Sequence, residues 1–122
     1  LLQQPVIWEL EGGRIVDIRG GTEADRFKEI LETRGDENSY WIGELSVGTN
    51  YCARSMGNAF EDKEYYGRVH IACGTGITVR GLYSNRYQST LHLDGIMNRP
   101  TVTVDGKVVV ADGEIVVAPR PD

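Results

Sequence analysis

Two Asp-Gly pairs, Asp105-Gly106 and Asp112-Gly113, each sit between short runs of β-branched residues. Asp-Gly suits the type I′ turn, whose twist matches that of the two strands it joins. Thr101-Val102-Thr103-Val104 and Lys107-Val108-Val109-Val110 therefore read as a hairpin, and Glu114 to Val117 as a further strand. A two-residue turn can only join antiparallel strands, because parallel strands need a crossover of a dozen or more residues. The double hairpin near the end of the sequence is thus expected to be a local meander.

The amino-terminal part gives a second hairpin and one helix. Val6-Ile7-Trp8-Glu9-Leu10 and Arg14-Ile15-Val16-Asp17-Ile18 alternate about Glu11-Gly12-Gly13. After Gly20-Gly21, Thr22 followed by Asp25 has the capping-box spacing, with Asp in the place of Glu or Gln. Ala24, Phe27, Ile30 and Leu31 then fall on one helical face, and Gly35 is placed to end the helix. Trp41 to Gly48, Arg68 to Cys73 and Thr90 to Ile96 have strand character. The polar stretch from Gly48 to Tyr66 is long for a structureless connection, so it is either functional or holds a short helix. The expected fold is one α+β domain over residues 1–122, with a mainly antiparallel, barrel-like β-sheet and one helix near the N-terminus.

Composition narrows the class of function. A net charge of −5 with acidic and basic residues interspersed leaves no basic face for nucleic acid. No apolar run approaches membrane-spanning length and nothing resembles a signal peptide, so the expected location is cytoplasmic, with no membrane partner. Leu1 is not an initiator methionine, so the expected start is inside a longer gene product or after processing. Two cysteines, Cys52 and Cys73, make no disulfide framework and read as free thiols, the alternative being one structural disulfide of an exported protein.

The only two histidines lie in strand-like segments. In Leu91-His92-Leu93-Asp94, alternation puts the leucines on one face and His92 with Asp94 on the other, their Cα atoms roughly 6.6 Å apart. An imidazole and a carboxylate so placed can share one divalent ion; equally, the pair can form the wet face of a strand. In Arg68-Val69-His70-Ile71-Ala72, His70 faces away from Val69 and Ile71, as a ligand or as a structural histidine. Glu44, inside an apolar strand between Gly43 and Leu45, either faces solvent or has a partner, because burying a lone carboxylate is costly. Together, Glu44, His70, His92 and Asp94 are an oxygen and nitrogen donor set suited to Zn, Co, Mn or Fe. Gly74-x-Gly76 is too short for a dinucleotide fingerprint, Glu61-Asp62-Lys63-Glu64 reads as a solvated turn, and Ser89 lacks a nucleophile-elbow context.

The order of these segments resembles a known family. Ile42-Gly43-Glu44 to Asn50, then Glu61-Asp62-Lys63, Gly67-Arg68-Val69-His70-Ile71-Ala72-Cys73-Gly74 and Ser89-Thr90-Leu91-His92-Leu93-Asp94 look like the M29 family, the thermophilic-type leucyl aminopeptidases or aminopeptidase T group. The resemblance implies metal ligation at Glu44, His70, His92 and Asp94 by paired Zn, Co or Mn ions. It also implies a further glutamate upstream, and a tyrosine after the His70 segment for which Tyr83 or Tyr66 would stand. Tyr83 is accordingly the expected catalytic residue. The implied activity is a metallo-aminopeptidase acting on a peptide or amino-acid-like small substrate. This chain would be a C-terminal fragment, inactive alone, of a larger metallohydrolase, expected to be a homodimer. The relationship extends to ring-opening dihydroxypyridine dioxygenases, which hold one Fe(II), and Glu44 in the Gly-Glu strand favours the hydrolase over that alternative. A non-catalytic β-rich interaction module is the other alternative.

Overall fold

The computed structural model describes residues 2–53, 59–76 and 88–117, with residues 59–61 described by their backbone only. The elements follow the expected order: strands β1 (Ile7–Glu11) and β2 (Arg14–Arg19), helix α1 (Thr22–Arg34), a 3-10 turn (Glu37–Tyr40), β3 (Ile42–Val47), helix α2 (Ala59–Glu64), β4 (Val69–Gly74), β5 (His92–Met97), β6 (Val102–Val104), β7 (Lys107–Ala111) and β8 (Glu114–Ile115). The strands form sheets of order β1-β2, β3-β4-β5 and β6-β7-β8. The fold is α+β with antiparallel sheets and one main helix, and no closed barrel is formed among the described residues. No helix among the described residues is long and apolar enough to cross a membrane.

Two compact units are distinguished, Leu1–Glu44 with Ala72–Asp94, and Leu45–Ile71 with Gly95–Asp122. The first contains the β1-β2 hairpin and α1. Glu11 pairs with Arg14 across the turn, and a register shift between Glu9 and Leu10 adds a bulge. Ile15 and Ile18 of β2, Ala24 and Leu31 of α1, and Cys73 of β4 form its buried centre. Trp8, Phe27, Tyr40, Ile42, Leu91 and Leu93 pack around it, with Trp8 stacked on Phe27 at 5.1 Å between centroids. The apolar face expected of the helix is thus the face that is buried.

The ends of α1 differ from expectation. Gly21, not Thr22, is the N-cap, and no side chain caps the helix. Gly21 C=O instead accepts from the Ala24 and Asp25 amides. Gly35 ends the helix as expected, but in an extended conformation, with its N–H donating to Leu31 C=O. The side-chain cap that does form belongs to the 3-10 turn: Asp36 accepts from the Asn38 and Ser39 amides while Ser39 Oγ accepts from Asp36 N–H.

The second unit holds the meander, β6-β7-β8. Its register pairs Val104 with Lys107 and Ala111 with Glu114, as two Asp-Gly turns require. Asp105 and Gly106, and Asp112 and Gly113, all have φ between 49° and 83°, the left-handed values of a type I′ turn. Val69, His70, Val110 and Ile115 are among its buried residues. Part of the long polar stretch is α2. The acidic run expected to be a solvated turn lies in this helix, where Asp62 pairs with Arg68 at 3.2 Å and both side chains are largely buried. Cys52 is exposed and Cys73 buried, both as free thiols. Burial pushes the Cys73 thiol up to about 11, so it stays protonated at neutral pH.

Candidate metal centre

Three of the expected ligands, Glu44, His92 and Asp94, meet within the first unit. Leu91 and Leu93 pack into the core, so the two-residue period of an extended strand sends His92 and Asp94 to the opposite face. Glu44 stands on β3. At one end Gly74 N–H donates to Trp41 C=O, and at the other Gly48 N–H donates to Arg68 C=O. Residue numbers rise on β3 as they fall on β4, which makes that pair antiparallel.

Glycines let these backbones close up beside the site. A Cβ on Gly43 would lie 2.6 Å from Gly74 O and 2.9 Å from the Thr75 carbonyl carbon, and one on Gly74 would overlap Leu91 O. Gly74 also has φ +94°, a value side chains rarely tolerate. Thr75 is thereby brought against His92.

His92 Nδ1 lies 2.6 Å from the Thr75 carbonyl oxygen. A carbonyl only accepts, so Nδ1 carries the proton, and in the neutral ring Nε2 bears the lone pair. His92 Nε2 is buried and makes no hydrogen bond among the described residues. Its neighbours are Glu44 Oε2 at 3.5 Å and Asp94 Oδ1 at 3.3 Å. One oxygen of Glu44 and one of Asp94 also lie within 4.8 Å of each other. A lone pair facing two carboxylates is electrostatically unfavourable unless positive charge sits among them. A second ring proton supplies one such charge. A divalent cation supplies two, and matches the two carboxylates in number. Imidazole nitrogen and carboxylate oxygen are ordinary donors for such an ion, so the residues present fit it.

His70 belongs to the second unit. It lies on β4, the strand that the sheet order places between β3 and β5, and is 2% exposed. Val69 beside it is as deeply buried, so β4 has no solvated face at this point. Tyr83, the expected catalytic tyrosine, lies outside the described residues. Tyr66 rests against Tyr51, ring centroids 5.6 Å apart, in the second unit.

Sequence reasoning missed what holds His92. Thr75 N–H donates to Leu91 C=O at 2.8 Å. Its hydroxyl donates to Ser89 C=O at 2.6 Å and accepts from Ser89 N–H at 2.7 Å. Ser89 Oγ lies 2.7 Å from the wholly buried Ser39 Oγ and accepts from Leu91 N–H. Asp36 Oδ2 accepts from Thr90 N–H at 2.8 Å. That bond, with those from the Ser89 and Ser39 hydroxyls and the Asn38 amide, holds the Asp36 carboxyl below its ordinary range. Only the Asp36-x-x-Ser39 capping spacing was visible in the sequence.

A family model described as NicX, 2,5-dihydroxypyridine 5,6-dioxygenase, matches residues 1–117. A curated 2,5-dihydroxypyridine 5,6-dioxygenase of Pseudomonas putida KT2440 is 24% identical over 123 aligned positions, covering 93% of this chain and 34% of the relative. The solved structure of 2,5-dihydroxypyridine dioxygenase from Pseudomonas putida KT2440 matches with a TM-score of 0.80 at 24% identity, over 96% of this chain and 35% of that one. The chain thus spans about a third of the length of the relatives it matches. These matches overturn the expected M29 aminopeptidase membership and, with it, the hydrolase class. The motif order that suggested M29 occurs in a chain matched by the dioxygenase family, and Glu44, read as favouring a hydrolase, does not discriminate. A strand carboxylate is an acceptable donor in either chemistry. The alternative drawn from the same resemblance, a dihydroxypyridine dioxygenase-like domain, is the one the matches support.

Proposed function

From the premise that this chain belongs to the NicX family, described as 2,5-dihydroxypyridine 5,6-dioxygenase, we propose that it is the metal-binding part of an iron(II)-dependent enzyme that opens a hydroxylated pyridine ring with dioxygen. The observation that carries this reading is the lone-pair nitrogen of His92 between the carboxylates of Glu44 and Asp94. Two histidines and one carboxylate with open positions are the donor pattern of non-haem iron oxygenases. His92 would supply one nitrogen and Asp94 one oxygen, and His70 is the residue the sequence offers for the second nitrogen. Bound iron(II) would supply the redox chemistry that lets an aromatic ring react with dioxygen.

The chain's own residues do the rest. Thr75 keeps the Nδ1 proton on His92, so that Nε2 remains a donor. Leu91 and Leu93 anchor the strand in the core, which fixes where His92 and Asp94 project. Glu44, its side chain 17% exposed, either completes the ligand set or takes a proton from a substrate hydroxyl.

The test uses the full-length protein, loaded anaerobically with iron(II), then mixed with 2,5-dihydroxypyridine and air-saturated buffer. Oxygen uptake is followed with an electrode and ring loss by absorbance. The expected result is one dioxygen consumed per ring opened, and no release of amine from a leucyl amide. Iron-loaded protein that consumes no oxygen with any dihydroxypyridine would overturn the reading.

A further inference from the structure

We infer that Thr75 is a positioning residue for His92, and that Ser89, Ser39 and Asp36 form the chain that holds it. The inference rests on the proposed reading of His92 as a metal ligand. It extends that reading to residues that touch no metal.

The geometry runs in one direction. The Thr75 carbonyl accepts the Nδ1 proton of His92, which selects the tautomer that leaves Nε2 to the site. A carbonyl can do this only if its peptide is fixed. Here the peptide is held on both sides, by the Thr75 N–H bond to Leu91 C=O and by the two-way clasp between the Thr75 hydroxyl and the Ser89 backbone. Ser89 is fixed in turn by its hydroxyl contact with Ser39 and by the Leu91 amide. Ser39 is fixed by Asp36, and Asp36 returns to the start of the ligand strand through Thr90 N–H. Thr90 Oγ1 closes the set on Arg34 C=O at the end of α1.

The Ser39 hydroxyl is wholly buried, and a buried hydroxyl is costly unless paired. This chain pairs it, and it links the end of a helix to the tautomer of one imidazole. Partners that orient a metal-bound histidine typically change affinity or activity 10–100-fold when removed.

The test is made in the full-length protein with Thr75→Val, Thr75→Ser and His92→Ala. Thr75→Val keeps the shape and the carbonyl but removes the hydroxyl clasp, whereas Thr75→Ser keeps both. Iron(II) and cobalt(II) affinities are titrated, and the cobalt(II) electronic spectrum reports ligand geometry. Thr75→Val should weaken metal binding by about 10–100-fold and change the spectrum, while Thr75→Ser stays near wild type. Separately, nitrogen-15 NMR of the metal-free protein reads the ring directly. The neutral His92 ring should be the Nδ1–H form in wild type and a mixture in Thr75→Val. Wild-type affinity and spectrum in Thr75→Val, or a neutral wild-type ring protonated at Nε2, would overturn the inference. If Thr75→Val does not fold, Ser39→Ala takes its place with the same two readouts and the same deciding outcomes. If His92→Ala binds metal as wild type does, the ligand reading fails instead, and the NMR result still decides whether Thr75 sets the tautomer.

Discussion

The strand that carries His92 and the meander that ends the chain are both built from short antiparallel segments, but they are held in opposite ways. The β6-β7-β8 meander is defined by neighbours in sequence. Its two turns join strands only two residues apart, with Asp105-Gly106 and Asp112-Gly113 in left-handed conformations. The segment from Ser89 to Asp94 is defined by distant partners. Ser89 bonds to Ser39, and Thr90 to Asp36 and Arg34, across 50 to 56 residues of chain. Local turn chemistry can place a strand next to its neighbour. Fixing the rotation and tautomer of one imidazole takes bonds from several elements at once.

The largest effect expected from breaking this difference is at Ser39. Ser39→Ala removes a buried hydroxyl, leaves the Asp36 amide without its acceptor and takes one partner from the Ser89 hydroxyl. Leaving buried partners unsatisfied costs about 1–3 kcal/mol. The denaturant midpoint should fall accordingly with little change in the slope. A loss no larger than that of an exposed meander substitution such as Val108→Thr, expected within about 0.5 kcal/mol, would show that the chain of hydroxyls contributes nothing to stability.

The same difference explains what could be read from the sequence. The meander, the first hairpin and the apolar face of α1 follow from turn residues and periodicity, which are local, and all three form as expected. The separation of Leu91 and Leu93 from His92 and Asp94 follows from strand alternation and also holds. The Thr22 capping box does not form, because Gly21 C=O already accepts the amides of the first turn. Thr75 gave no signal, and Ser39 only its capping spacing from Asp36. Their roles come from a main-chain carbonyl and from hydroxyls meeting across 14 and 50 residues, and no local pattern encodes either. The reaction class was not legible from the donor residues. Glu, His and Asp suit a hydrolase or an oxygenase equally, and it is the family match, not the donors, that overturns the hydrolase reading.

Acid provides an intermediate test of the comparison. Asp36 accepts Thr90 N–H first of all, and its carboxyl is held below the ordinary value of 3.8. A carboxyl whose folded value is depressed adds stability above its unfolded value, and that contribution is lost as pH falls through the folded one. The Ser89–Asp94 segment should therefore loosen below about pH 4. Asp36→Asn should flatten the acid limb of the stability profile. Part of that limb will remain, because Glu23 is depressed in the same sense by the Gln3 amide. Amide hydrogen exchange at Thr90 reads this directly: its protection should fall in acid before that of Val110 in the meander. Simultaneous loss at both sites would mean that the two regions share one acid transition.

In the meander turns the comparison can be sharpened within a single motif. Gly106 and Gly113 hold nearly the same backbone angle, φ +77° and +83°. Alanine at either position takes on a left-handed conformation, at a cost of about 1–2 kcal/mol. Their surroundings differ. A Cβ at Gly106 meets nothing within 4 Å, whereas one at Gly113 lies 3.3 Å from Arg99 Cα and from Asn98 O. Those two neighbours have backbone atoms in the contact, which yield less readily than the end of a side chain. Arg99 is further tethered by its ion pair with Asp112. Gly113→Ala should therefore destabilise more than Gly106→Ala, and the excess measures crowding alone because the dihedral term is shared. Equilibrium denaturation of the two variants side by side gives the excess. Equal losses would mean that the Asn98–Arg99 backbone moves aside freely, so that turn chemistry alone sets the geometry of the meander.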